Sequence, residues 1–197
     1  MRTTFFSLLL AAHLAAPASA LAGNYSIDPT HTNIGFRVRH MMVSFTKGHF
    51  KKFEGTVVLD DTTPTKSQID VAIDTSSVNS ELDDRDKHLR SAEFLDSEKF
   101  PKMTFKSKKV KIISAANWQV TGDLTIRGVT KEVVLNVADI GKDTKDPWGN
   151  IRRGATASTK ISRKDFGLLW NKTLEAGGVA VADEVLIELD IELIKKA

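Results

Sequence analysis

Residues Val185 to Leu193 read VLIELDIEL. Val185, Ile187, Leu189, Ile191 and Leu193 alternate with Leu186, Glu188, Asp190 and Glu192, a period of two that predicts a β-strand with one face in a core and the other mostly in water. The same period recurs upstream. Ile34, Phe36, Val38 and His40 alternate with Gly35, Arg37 and Arg39, and Phe53, Gly55, Val57 and Leu59 with Glu54, Thr56 and Val58. Ile69, Val71 and Ile73 alternate with Gln68, Asp70 and Asp74. A further strand begins at Tyr25 and ends at the turn signal Asp28-Pro29. Met41 to Phe45 shows no clear period.

Past residue 100, Met103, Phe105 and Ser107 resume the alternation, with a register shift expected before Val110 and Ile112. Trp118, Val120, Gly122, Leu124 and Ile126 lead to Arg127-Gly128, and Val133, Leu135 and Val137 return, which predicts a hairpin over Thr121 to Ala138. Asp146 to Asn150 reads as a loop, and Ala155, Ala157, Thr159 and Ile161 as a strand of small inward residues. About eight short strands, each with one polar face, predict an all-β antiparallel barrel or sandwich. A barrel of that size is just filled by side chains or holds one small ligand. Gly55, Gly122, Thr159 and the alanines are expected to leave such room.

One stretch interrupts the pattern: Ser80 to Ser107, SELDDRDKHLRSAEFLDSEKFPKMTFKS. It predicts a short helical insertion near residues 80–100, with Ser80 as its cap and Asp83, Asp84 and Asp86 early. Lys87, His88 and Arg90 fall late, which suits the helix dipole. Leu82 and Leu89 share a face, and Asp83/Lys87 and Asp86/Arg90 have the spacing of ion pairs. Pro101 stops the helix before the next strand.

Residues 1–20 read as a secretory signal, with Arg2, the apolar run Phe5 to Leu14 and the small residues Ala18-Ser19-Ala20; cleavage after Ala22 fits nearly as well. Residues 21–197 then form one domain with enough chain for a sizeable core. The formal net charge of the 197-residue chain is only +3. Its cations are interleaved with acids, which leaves no electrostatic footprint for nucleic acid. The basic run Lys106 to Lys111 reads as a solvated strand face. The chain has no cysteine, which excludes disulfides and thiolate chemistry.

Four ordered blocks of this sequence resemble the YceI-like family of bacterial periplasmic lipid-binding proteins. The first is Asp28, His31, Thr32, Ile34, Phe36, Val38 and His40; the second is Arg85, Asp86, His88, Leu89, Arg90, Ser91, Phe94, Phe100 and Pro101. Gly122 to Lys131 and Ile161 to Gly167 are the third and fourth, while Glu93 and Leu95 stand where the family more often has Asp and Phe. The resemblance implies a lipocalin-like antiparallel barrel whose interior takes up an isoprenoid quinone or polyprenyl chain in the periplasm, with no catalytic set and no resident cofactor. Transient membrane contact during loading and a homodimer are both compatible with it.

On that reading the apolar interior and mouth are formed by Phe36, Val38, Phe53, Val57, Ile69, Val71, Leu89, Phe94, Phe100, Phe105, Trp118, Leu124, Ile126, Phe166 and Trp170. Asp28, His31, Arg85, Asp86 and His88 serve the structure, with the His31 imidazole expected on backbone. No metal is expected, since the histidines lack ligand spacing. Two other readings stay open. Arg85, Asp86 and His88 could form the acid, base and anion-binding group of an enzyme for a small apolar substrate, or the barrel could be a filled interaction module.

Overall fold

The computed structural model describes residues 22–175 and 177–196. The signal sequence expected at residues 1–20 lies outside them. The strands are β1 (Gly23–Ile27), β2 (Asn33–His40), β3 (Ser44–Phe50), β4 (Phe53–Leu59), β5 (Gln68–Asp74), β6 (Val78–Asn79), β7 (Lys102–Ser114), β8 (Asn117–Ile126), β9 (Val129–Ala138), β10 (Thr144–Lys145), β11 (Ile151–Ser162) and β12 (Val181–Lys195), with one helix, α1 (Asp83–Arg90), between β6 and β7.

Neighbours run β1-β4-β5-β7-β8-β9-β11-β12, and β12 returns to β1, so eight antiparallel strands close a barrel. The closing strand is the one with the clearest period. One edge of β12 lies along β11 from Glu184 to Ile194. Its other edge is shared end to end: Val181 to Asp190 pair with β2, and Leu193 to Lys195 with β1. β3 and β6 extend the sheet beyond β2. Strand directions define two ends. The base carries the 60–67 and 139–150 turns, the 28–32 link joins β1 to β2 along the edge of β12 above it, and the mouth carries α1, the 91–100 segment, the β2–β3 hairpin and the 163–180 segment.

The β8–β9 hairpin turns at Arg127-Gly128, both with positive φ (51° and 73°), the two-residue turn whose twist matches the strands. A Cβ on Gly128 would also lie 2.7 Å from the Phe100 ring. The register shift expected before Val110 is a bulge between Ser107 and Lys109. β3 gave no sequence signal because Ser44 to Phe50 carries Ser, Thr, Lys, Gly and His among only two apolar residues.

Several local expectations are corrected. Ser80 does not cap α1; the N-cap is Leu82, and its side chain is exposed rather than sharing a buried face with Leu89. Ser80 is instead the acceptor and donor at the centre of a buried knot. Its N–H and hydroxyl both donate to Asp86, and Arg85 donates to its hydroxyl and carbonyl oxygens at 2.7 and 2.6 Å. Asp86 is therefore buried and satisfied from upstream, and neither Asp83/Lys87 nor Asp86/Arg90 forms an ion pair among the described residues. Gly55 and Gly122 leave no empty room. A Cβ on Gly122 would sit 2.5 Å from the Phe105 ring, and one on Gly55 2.7 Å from Ile27 Cδ1, so larger neighbours already occupy those spaces.

Candidate functional site

The barrel encloses an apolar cavity of about 170 Å³. Its wall is built by the inward faces of all eight barrel strands, because alternation turns every second side chain to the inside. Val57, Ile69, Val71, Phe105, Trp118, Leu124 and Ile126 line it, as do Leu59, Ile73, Met103 and Val120 from the same strands and Val133, Leu135 and Val137 from β9. β11 and β12 contribute Gly154, Ala155, Ala157 and Thr159 facing Ile187, Leu189, Ile191 and Leu193. The small residues of β11, not the glycines of β4 and β8, are what keeps the interior open.

The base of the cavity is ionic. Arg153 borders the cavity and is almost completely buried. Its guanidinium grips the Asp61 carboxylate through two bonds of 2.8 and 3.0 Å and donates from Nε to Asp143 at 2.9 Å. Asp143 also accepts from the Tyr25 hydroxyl (2.7 Å) and pairs with Lys195 (2.8 Å). Burial, reinforced by that hydrogen bond, pushes the Tyr25 hydroxyl pKa up. Burial also works to raise the Asp143 pKa, but Lys195, Tyr25 and Arg153 outweigh it and hold the group ionised below its usual range.

Arg152 points to the opposite face of β11 and ties a second network. Its Nη1 donates to Asp28 and Glu192 and its Nε to Asp146 at 2.7 Å. Burial opposes the charge on Asp28, yet hydrogen bonds from Thr30, His31 and Arg152 hold its carboxyl well below the usual carboxylate range. The His31 ring meets the Asp28 carboxylate at 2.8 Å, not backbone as the turn sequence suggested. Asp28, His31 and Glu192 place ligand atoms within 4.8 Å of one another. The Arg152 guanidinium sits on both carboxylates, so a fixed cation already neutralises them.

The mouth is closed by packing. Phe94 and Trp170, from the two segments that cross it, lie with ring centroids 5.2 Å apart, and the His88 ring meets each edge-on at 4.8 Å. His88 also reaches Glu93. Arg127, at the tip of the β8–β9 turn, donates to the Gly167 and Ala92 carbonyls and so fastens both segments to the barrel. Buried Arg163 donates to the carbonyls of Leu168, Trp170 and Ala182. Phe166 is buried beside the groove where β9 and β11 part, beyond Ser158 and Asn136, their last pair.

The remaining candidates lie outside the cavity lining. Phe36 meets Phe50 in the β2–β3 extension with ring centroids 5.9 Å apart and planes tilted by 44°, and Val38 pairs with Val185 of β12. Phe53 and Leu89 are half-buried against the core, and Phe100 covers Gly128. Arg85 and Asp86 both turn to Ser80 while His88 turns to Glu93, so these three do not converge on one point and none borders the cavity. Alternation could have nominated most of the missed lining residues, since Leu59, Val120, Ile187 and their neighbours were read as inward. Arg153, Thr32 and Ile140 carried no such signal, because they stand at turns and strand ends.

Residues 25–193 match the YceI-like domain. A UPF0312 protein of Photorhabdus laumondii is 42% identical over 168 residues, covering 84% of this chain and 86% of its own. The crystal structure of the Campylobacter jejuni YceI protein superposes with a TM-score of 0.69 at 32% identity, over 86% of this chain and 96% of that one. A polyisoprenoid-binding domain from Saccharophagus degradans shares the fold at a TM-score of 0.61 and 16% identity, over 87% of this chain and 98% of its own.

Proposed function

This chain belongs to the YceI-like domain family, and from that premise we propose that its barrel binds the hydrocarbon chain of an isoprenoid lipid, such as an isoprenoid quinone or polyprenyl chain, and carries or stores it in the periplasm. The observation that carries this reading is the continuous aliphatic and aromatic lining of the cavity, with Arg153 as its single charged neighbour among the described residues. Such a lining recognises length and apolarity rather than a reacting bond. At about 0.8 kcal/mol per buried CH₂, one five-carbon isoprene unit contributes roughly 3–4 kcal/mol before ordering costs.

A cavity of about 170 Å³ is smaller than the roughly 300–1,000 Å³ of pockets for drug-sized ligands. A long chain therefore enters by displacing the mouth, where Leu89, Phe94, Phe100 and Trp170 become part of its wall, while Val57, Ile69, Val71, Phe105, Trp118, Leu124 and Ile126 contact its inner end. Residues 1–20 act as the export signal in this scheme, and residues 21–197 are the mature carrier. Protein purified from its native host and extracted with organic solvent should release about one polyisoprenoid per chain. Recovery of ligand-free protein that also refuses isoprenoid delivered in detergent would refute the proposal.

A further inference from the structure

The β2–β3 hairpin ends in a feature that no part of the cavity explains. Val43 N–H bonds the His40 carbonyl at 3.0 Å, and the two residues between, Met41 and Met42, have φ of 50° and 59°. Two positive φ values in succession define a turn that strongly favours Asn-Gly and disfavours side chains like methionine. The same residues are an apolar tip held in water: Met41 is 46% exposed, Met42 60%, Val43 81% and Phe45 43%. Strained backbone and solvated apolar surface at one site, both avoidable by ordinary turn residues, mark a function outside the isolated fold.

The surroundings specify the partner. Arg39 faces Phe45 across the hairpin and Arg37 faces Lys47, so one face carries three cations. The Arg37 and Arg39 guanidiniums lie 5.0 and 4.4 Å from the Phe45 ring centre. Arg37 is partly neutralised by Glu188 at 3.3 Å, whereas Arg39 and Lys47 have no salt-bridge partner among the described residues. Met41 N–H bonds Ala180, which in turn bonds Lys172, so the tip is joined to the segment that carries Trp170 over the mouth. An apolar wedge with basic flanks is the composition of an interfacial membrane anchor. A tip this small falls well short of the ~800 Å² per partner that a stable dimer buries.

We propose that the Met41-Met42-Val43 tip, with Phe45 and the cations Arg39 and Lys47, docks the mouth of the barrel on an anionic lipid bilayer. Its use in loading rests on the isoprenoid reading, but docking itself is measured without isoprenoid. The probe is sedimentation with phosphatidylglycerol-containing vesicles against phosphatidylcholine vesicles. The full chain should partition onto the anionic vesicles and lose binding as salt is raised. Met41→Asn/Met42→Gly should reduce that partitioning roughly tenfold or more, while the relaxed turn raises Tm by about 2–4 °C. Arg39→Gln, which leaves the turn intact, should weaken binding to the anionic vesicles alone.

Equal vesicle binding by the wild type and both variants would overturn the proposal. So would a wild-type dimer that Met41→Asn/Met42→Gly converts to monomer without loss of vesicle binding. A protein that takes up isoprenoid from detergent but ignores vesicles defeats docking and leaves the cavity reading standing; the reverse result defeats the cavity reading and leaves docking standing.

Discussion

The two ends of this barrel are held by opposite means. At the base, charges from segments far apart in sequence converge: Arg153 reaches Asp61 and Asp143, and Arg152 reaches Asp28, Asp146 and Glu192. Such directional contacts tolerate few arrangements, and losing a partner of Arg153, Asp28 or Asp146 leaves a buried charge less compensated. At the mouth, His88, Phe94 and Trp170 meet through aromatic faces and edges, and the apolar tip of the β2–β3 hairpin stands in solvent. Apolar packing is less directional and can be remade around a ligand. The base is thus suited to fix the barrel's diameter, and the mouth to yield.

If the base is the rigid end, Arg153→Ala should produce the largest loss of stability, about 2–4 kcal/mol in urea unfolding. The upper end of the range for a broken buried pair is not expected, because Asp61 is itself well exposed and regains water. Loss below ~0.5 kcal/mol would place the fixed end elsewhere. Between the two ends, Ala157→Phe adds a ring to the cavity wall. It should abolish isoprenoid retention at a stability cost of about 1–3 kcal/mol, read by lipid extraction beside a thermal melt.

At the mouth, Phe94→Ala removes ring contacts to both His88 and Trp170, each worth roughly 0.5–1.5 kcal/mol. It should speed ligand release more than it lowers Tm, and more than His88→Ala does. Equal release rates would mean that the aromatic cluster does not gate the cavity.

The last effect is read in the pH dependence of stability and concerns Asp28. Its folded pKa lies well below its unfolded value, so its contribution is fully present above about pH 5 and is lost progressively as the pH falls from the usual carboxylate range towards the depressed folded value. Asp28→Asn should flatten the acid limb of the stability profile, and an unchanged limb would reassign it to other carboxylates.

Much of the wall was legible because burial in a barrel repeats every second residue. VLIELDIEL and the Trp118 to Val137 hairpin state their inward faces outright. β3 was illegible because its apolar content is too low to show a period. The site was legible only where it coincides with that wall. Phe94, Trp170 and His88 form one cluster, yet Trp170 is 76 residues beyond Phe94, and no periodicity reports a contact at that separation.

The sequence by itself determined the strands that form the barrel, their faces, the β8–β9 turn and the place of the helical insertion, because these follow from local sterics and alternation. Only the tertiary structure decided that β12 closes the barrel by sharing one edge between β1 and β2, that Ser80 is held by Arg85 and Asp86 rather than capping their helix, and that Arg153 seals the base. Each of these depends on which polar groups meet once the chain has closed, and a hydrogen bond is specified by distance and direction in space, not by position along the chain.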